Sequence, residues 1–363
     1  MRKGKEAIPL ARTRQNRISI EEIAQALNIS KTTVSRALSG KGRISEATRS
    51  RVRSYVASTG AAPAVRSGWS EENATHNLTM VIPDHFVRLD LPFLRKCMGG
   101  ITTMAVQRGY DMLLCYTNAS DTSQLQRQLA NHKMDGVILS RALKDDPCVD
   151  LLRQYQIPFV VIGRCEDSTI PQADNDQVSG SCEMTRLLLR LGARRIAILT
   201  GSTAYMVTAD RIRGYQLALG EFGIATDPWL IQSGIESDAQ RADALEAVLE
   251  RKPDCLLCGD DRLAFDVMRA LHSRHIRVPE DIRVASLYDS ELLLGTTPSI
   301  SAVQYDAERL GATACRMLLD LLAGKQVDLR QVEGYQVILR DSTKQKIRRP
   351  CLYAMQARPF LRF

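Results

Sequence analysis

From Leu78 onward the chain alternates between short apolar runs and longer amphipathic stretches. TMVIP at 79–83, YDMLLCY at 110–116, DGVILS at 135–140 and PFVVIG at 158–163 have the length and β-branched content of strands. Between them, FLRKCMGGITTMAVQRG at 93–109 and DTSQLQRQLANHK at 121–133 repeat with a helical period. The pattern restarts with RRIAILTG at 194–201, PDCLLCGD at 253–260 and IRVASLYD at 282–289. Two successive sets of strand–helix units predict an α/β fold with two doubly wound, parallel-sheet lobes. Ligands of such sheets bind beyond the carboxyl ends of the strands, so the crevice between lobes is the expected small-molecule site.

The first sixty residues follow another pattern. Ser19 opens S-x-x-E with Glu22, a capping box ahead of Ile20, Ile23, Ala24 and Leu27. Asn28 tolerates the left-handed backbone of a tight turn. Ser30 is then the cap of a second helix whose Val34, Ala37 and Leu38 share one narrow face. Ser45 is the cap of a third, carrying Val52, Tyr55 and Val56, with Gly40 and Gly42 punctuating the gap. Helices this short do not stand alone, so their few apolar residues must pack together. The polar face of the second helix, with Lys31, Thr32, Thr33, Ser35 and Arg36, is left outward. This is helix-turn-helix logic, in which the outward helix enters the DNA major groove.

Charge sharpens that reading. The 363-residue chain carries +8 overall, but residues 1–66 hold +10 and the remaining 297 hold −2. A polyanion is the natural partner of so polarised a chain. SIEEIAQALNISKTTVSRALSGKGRISEATRSRV, residues 19–52, resembles the DNA-binding domain of the lactose-repressor/galactose-repressor family of bacterial transcription regulators. The S-x-x-TVSR-x-L core, a glycine-containing loop and Ser-x-x-Thr-Arg carry the resemblance. It implies that Lys31, Thr32 and Arg36 read base edges and that Ser30, Thr33 and Ser35 hold DNA phosphates. The chemistry fits. Arg36 can give two parallel donors to a guanine edge, Thr32 can use hydroxyl or methyl, and hydroxyls at a helix N-terminus suit phosphate oxygens.

Members of that family follow the third helix with Gly-Tyr-x-Pro-Asn and a hinge helix whose leucine wedges into the minor groove. Here Gly60-Ala-Ala-Pro63-Ala keeps the proline, with Ala61 and Ala64 in place of Tyr and Asn. Ser70 takes the wedge position, Gly68 weakens a helix, and Trp69 is the candidate substitute wedge. The resemblance continues over about 78–342, where the family's effector domain is similar in fold to periplasmic sugar-binding proteins. MDGVILS, IPFVVIGR, LGARRIAILTG, ADRIRGYQLAL and VPEDIRVASLYDSELL are among the matching stretches. It implies three crossings between lobes, with 78–172 and about 304–328 in one, and 174–302 and about 331–342 in the other. It also implies an effector pocket containing Arg211 of the R-x-x-G-Y motif, Asp84, Asp260, Tyr288 and Gln304, with Asp261 fixing its loop. Asp260, Ser286, Tyr288 and Ile235 depart from the residues common in sugar-binding members. A sugar and another polar metabolite both remain open.

No apolar run approaches the roughly 18 residues of a membrane span, and the basic N-terminus lacks the apolar segment of a signal peptide. A cytoplasmic, nucleoid-associated protein is expected. Nine scattered cysteines suggest no disulfide framework, and Cys255-Leu-Leu-Cys258 reads as core. His272 and His275 lack further metal ligands nearby in sequence. With no phosphate loop, nucleophile elbow or metal cluster, neither enzyme activity nor a cofactor is expected. The expected organisation is a basic arm (1–17), a helix-turn-helix domain (18–62), a hinge (63–77), a bilobal effector-binding and dimerisation domain (78–342) and a basic extension (343–363). The function that follows is a sequence-specific transcription regulator, a repressor binding a palindromic operator as a homodimer or tetramer under control of a small-molecule effector. A family regulator without effector control, and a small-molecule receptor, are the alternatives.

Overall fold

The computed structural model describes residues 17–18, 20–39, 44–58, 62–63, 74–84, 92–118 and 120–344. Ser19, Trp69 and the extension past Lys344 lie outside the described residues.

The head begins with β1 (Arg17–Ile18), followed by α1 (Ile20–Leu27), α2 (Lys31–Ser39), α3 (Glu46–Ser58) and β2 (Ala62–Pro63). The two short strands pair in parallel, Arg17 with Ala62 and Ile18 with Pro63, and so bring the ends of the head together. Asn28 has φ 50°, the left-handed turn that lets α2 double back on α1. Ser30 Oγ accepts from the Thr33 N–H at 3.1 Å, and Ser45 Oγ from the Thr48 N–H at 3.2 Å, as their cap positions require. Ile23, Ala24, Val34, Ala37 and Val52 form the buried centre, with Leu27, Ile29, Ile44 and Tyr55 packed around it.

The body opens with β3 (Asn77–Pro83), α4 (Pro92–Gln107), β4 (Asp111–Thr117), α5 (Ser123–Ala130), β5 (Gly136–Leu139), α6 (Pro147–Tyr155), β6 (Phe159–Ile162) and β7 (Gln172–Asn175). The chain then builds α7 (Gln177–Arg190), β8 (Ile196–Leu199), α8 (Met206–Glu221), β9 (Ile231–Gln232), α9 (Asp238–Glu250), β10 (Cys255–Cys258), α10 (Asp261–Ser273), β11 (Arg283–Ser286), α11 (Glu291–Leu294) and β12 (Ser301–Tyr305). Helix α12 (Ala307–Leu322) and β13 (Arg330–Glu333) return to the first lobe, and β14 (Tyr335–Ile338) ends in the second. The first sheet has the order β13-β7-β6-β5-β3-β4, with parallel neighbours throughout. The second has the order β14-β12-β11-β10-β8-β9, parallel except at β12–β14. Strands β5, β8 and β10 are buried on both faces, which explains their uninterrupted apolar sequences. Cys255 and Cys258 are buried free thiols in that core.

The three crossings exist, and all three fall later than expected. Gln172–Asn175 stays in the first sheet because it pairs with β6 and, along its full length, with β13. The first crossing is therefore at Asp176 and the last at Gly334, between β13 and β14. Ser301–Tyr305 belongs wholly to the second sheet. In the first lobe α4 and α12 touch backbone to backbone. A Cβ on Gly100 would collide with the Glu308 carbonyl, and one on Gly311 with the Cys97 carbonyl.

Candidate DNA-reading head and effector cleft

On α2, Val34 and Ala37 are buried while Thr32 and Arg36 are exposed, so the apolar pair clamps the helix and turns the reading positions outward. Lys31 is also exposed and forms an ion pair with Glu21 of α1. Ser30 and Thr33 share a hydroxyl–hydroxyl hydrogen bond of 2.8 Å beside the helix N-terminus. The Ser35 side chain lies outside the described residues, as does Trp69.

The lobes face each other across a cleft with a cavity volume of about 280 Å³. It opens at the carboxyl ends of the strands, where Ser140 and Arg141 follow β5, Gly163 and Arg164 follow β6, and Asn175 ends β7. The second lobe contributes Arg211 from α8, Asp260 and Asp261 at the start of α10, and Tyr288 just past β11. Arg211 is 9% exposed; its Nε donates to Gln177 Oε1 at 3.0 Å and its Nη2 to the Leu287 carbonyl at 3.5 Å. Burial pulls its pKa below the ordinary guanidinium value. Arg141 lies over the Phe93 ring at 4.9 Å and the Tyr205 ring at 6.0 Å. Burial first, and then the charge of Arg211, lower its pKa. Phe93 meets Tyr288 edge-on at 5.7 Å, giving the cleft an aromatic floor that joins both lobes.

The R-x-x-G-Y motif has a mechanical explanation. A Cβ on Gly214 would collide with the Val178 carbonyl, so glycine lets α8 lie against α7. Tyr215, 1% exposed, donates to the Ile196 carbonyl of β8 at 2.8 Å. Ser181 of α7 donates to the Arg211 carbonyl at 2.6 Å. Together these contacts set the rotation of α8 that aims Arg211 into the cleft.

Arg211, Asp260 and Tyr288 line the cleft; two other expected pocket residues do not. Gln304 is exposed on β12, alternating with the core residues Val303 and Tyr305, and the two-residue strand period turns it away. Asp84, also exposed, accepts from Asn118 Nδ2 at 2.8 Å at the end of β4. Asp260 has two roles, and Asp261, expected only to fix its loop, shares one of them. Asp260 is the cap of α10, accepting from the Leu263 N–H at 2.8 Å, and lines the cleft together with Asp261, which is 3% exposed. Burial, with Asp260 alongside, raises the pKa of Asp261.

Three buried polar atoms of cleft residues have no hydrogen-bond partner among the described residues: Ser140 Oγ, Asn175 Oδ1 and Asp261 Oδ2. Buried polar groups are nearly always satisfied, so a water or a bound molecule completes them. Sequence reasoning missed Ser140, Arg141 and Asn175, although their position immediately at strand ends was the available signal. Phe93 and Tyr205 stand in the first turn of α4 and just before α8, where no local pattern marks them.

Residues 19–63 match a family model described as bacterial regulatory proteins, lacI family, and residues 185–343 match a periplasmic binding protein-like domain. The HTH-type transcriptional regulator CelR of Thermobifida fusca is 26% identical over 337 residues, which are 91% of this chain and 99% of that protein. The HTH-type transcriptional repressor PurR of Aliivibrio salmonicida (strain LFI1238) is 26% identical over 332 residues, 89% of this chain and 98% of the relative. A solved transcriptional regulator CelR–cellobiose complex superposes with a TM-score of 0.71 at 26% identity, covering 89% of this chain and 99% of that one. The head, the bilobal body and relatives matched along nearly their whole length agree: the chain joins a lacI-family DNA-binding domain to a periplasmic binding protein-like domain and is a DNA-binding transcription regulator.

Proposed function

We propose that the protein is an effector-controlled repressor, cytoplasmic and homodimeric, that binds a roughly palindromic operator. In this reading Arg36 and Thr32 contact base edges, with Lys31 released from Glu21 to join them, and Ser30, Thr33 and Ser35 lie against phosphates. A recognition helix as short as α2 reads few bases, and two-fold duplication supplies the missing affinity and specificity.

The effector is a polyhydroxylated molecule of the sugar class, held in the interlobe cleft. The observation that carries this is the set of buried polar atoms on Ser140, Asn175 and Asp261, without protein partners, in the cleft that Arg211 also lines. Hydroxyl groups, which both donate and accept, satisfy all of them, and the Phe93–Tyr288 floor suits a sugar's apolar face. The solved relative with cellobiose is consistent with that class. Binding would favour one lobe arrangement and so change how two heads meet the operator. The test is selection of an operator from randomised duplexes, followed by titration of a sugar panel into the complex. Saturable binding that shifts operator affinity is expected. Operator binding indifferent to every cleft ligand would favour a regulator without effector control.

A further inference from the structure

A second chamber, of about 270 Å³, adjoins the cleft on the side of the first lobe. The two share Ser140, Arg141, Ser202, Tyr205 and Glu236, so these residues form a neck between one chamber and the other. Each volume is just below the usual range of ligand pockets, roughly 300–1,000 Å³, so a ligand of ordinary size would extend into both.

Their walls differ in kind. The inner chamber holds Arg211, Asp260, Asp261 and Asn175. The outer one adds Val81, Pro83, Leu139, Leu143, Pro147 and Cys148, with Thr117, Asn118 and Asp146 as its polar members. Cys148 is 3% exposed and burial pushes its thiol up to about 12, so it acts there as an apolar surface and not as a nucleophile. The neck is polar: the fully buried Ser140 Oγ has no partner among the described residues, and a charge of each sign, on Arg141 and Glu236, stands beside it.

We propose that the effector is a two-unit conjugate. Its polyhydroxylated ring occupies the inner chamber, its linking oxygen passes the neck beside Ser140, and a less polar second unit, such as an aryl aglycone, fills the outer chamber. The inference rests on the sugar-class reading of the cleft and adds the size and polarity of what is bound. Apolar burial in the outer chamber supplies affinity that a free monosaccharide lacks.

The test is calorimetry on the full chain with matched pairs, methyl glycosides against p-nitrophenyl glycosides, in both anomers across the common hexoses and pentoses. For the series that binds, the aryl glycoside is expected to bind at least tenfold tighter, with a more negative heat-capacity change. Ala204 is exposed and lines only the outer chamber, so Ala204→Leu puts bulk there without disturbing a packed core. It should erase the aryl advantage within each pair, whatever becomes of the methyl glycoside's own affinity. Equal affinities within a binding pair, or an aryl advantage untouched by Ala204→Leu, would overturn the two-unit assignment while leaving the sugar reading intact. A disaccharide that outbinds the aryl glycoside would overturn the apolar assignment of the outer chamber. Binding by no member of any pair would overturn the sugar reading itself, and this inference with it.

Discussion

Arg164 of the first lobe clasps Asp210 of the second through three hydrogen bonds. Its Nε reaches both carboxylate oxygens at 3.0 Å and its Nη2 reaches Oδ1 at 2.8 Å. The Asp210 side chain is 5% exposed and that of Arg164 is 28% exposed, so the pair is largely shielded from water. Nearby, Leu143 and Tyr205 form an isolated antiparallel bridge, and the Lys144 N–H donates to the Ala204 carbonyl at 3.0 Å. The lobes are thus tied by an ion pair and by a short backbone bridge, and on opening water can replace the ion pair.

Arg164→Gln would leave the Asp210 carboxylate buried without its cation whenever the lobes close. Breaking such a pair costs about 3 kcal/mol where burial is complete; opening the lobes rehydrates the carboxylate, so the loss appears as a shift towards the open arrangement. Effector affinity should fall about 10–100-fold. Thermal stability of the effector-free protein should change less. Arg164→Lys keeps the charge without the fork and should fall between the two. Small-angle scattering with and without effector, alongside calorimetry, reads both quantities, and wild-type affinity in the glutamine variant would remove the latch from the closing equilibrium.

On the DNA side, Arg36→Ala should cost specific operator binding roughly 1–3 kcal/mol while non-specific binding changes little. Ser30→Ala and Ser45→Ala separate a cap from a phosphate contact. Each removes one cap, of 3.1 and 3.2 Å respectively, and should destabilise the head by about 1 kcal/mol. Only Ser30 also stands beside the recognition face. Mobility shifts over a salt series, corrected for the folded fraction, should show a residual loss for Ser30→Ala alone. Equal residual losses would leave Ser30 with no role besides capping.

How much of this was legible in the residues follows from how strongly each pattern is enforced. β5, β6, β8 and β10 carry continuous apolar runs because both faces are buried, and such runs have few other readings. Asn28 and the two cap serines were readable because turns and helix starts demand particular side chains. Gln172–Asn175 is fully buried yet polar, so no periodicity announces it as a strand. Its misplacement moved the first crossing by several residues. Asp260 and Asp261 are adjacent and chemically alike; which one caps α10 depends on where the helix begins, a boundary that local patterns resolve poorly. Long-range partners such as Glu21–Lys31 and Arg164–Asp210 leave no local trace at all.

Asp261→Asn should stabilise the protein and blunt its effector response. Burial raises the carboxyl's pKa in the folded state above its unfolded value. The group therefore contributes stability that is present below the unfolded pKa and lost as pH rises through the folded one. At neutral pH the ionised, buried carboxylate is a cost that the amide removes. Melting temperature should rise in the variant at alkaline pH, and the gain should shrink as pH falls and the acid becomes protonated in the folded state. Effector affinity should drop because an acceptor-only group has been exchanged for one that also donates. A gain independent of pH would show that ionisation of Asp261 is not its source.

Gly214→Ala tests whether Arg211 is held by helix packing. The added methyl meets the Val178 carbonyl and the Ser181 side chain, the second at 2.8 Å, and neither can retreat without moving α7. Overpacking of this kind costs about 1–3 kcal/mol. Part of that strain is relieved by lifting α8 from α7, which would also lengthen the Ser181–Arg211 carbonyl bond of 2.6 Å and rotate the guanidinium in the cleft. The variant should lose stability and effector affinity together, while operator affinity without effector stays near wild type because the head makes no use of α8. Leu217, on the same helix but 47% exposed, supplies the control: Leu217→Ala removes surface area without shifting α8 and should leave effector binding unaltered. If Gly214→Ala loses stability but binds effector normally, the rotation of α8 does not position Arg211, and the motif's glycine serves packing alone.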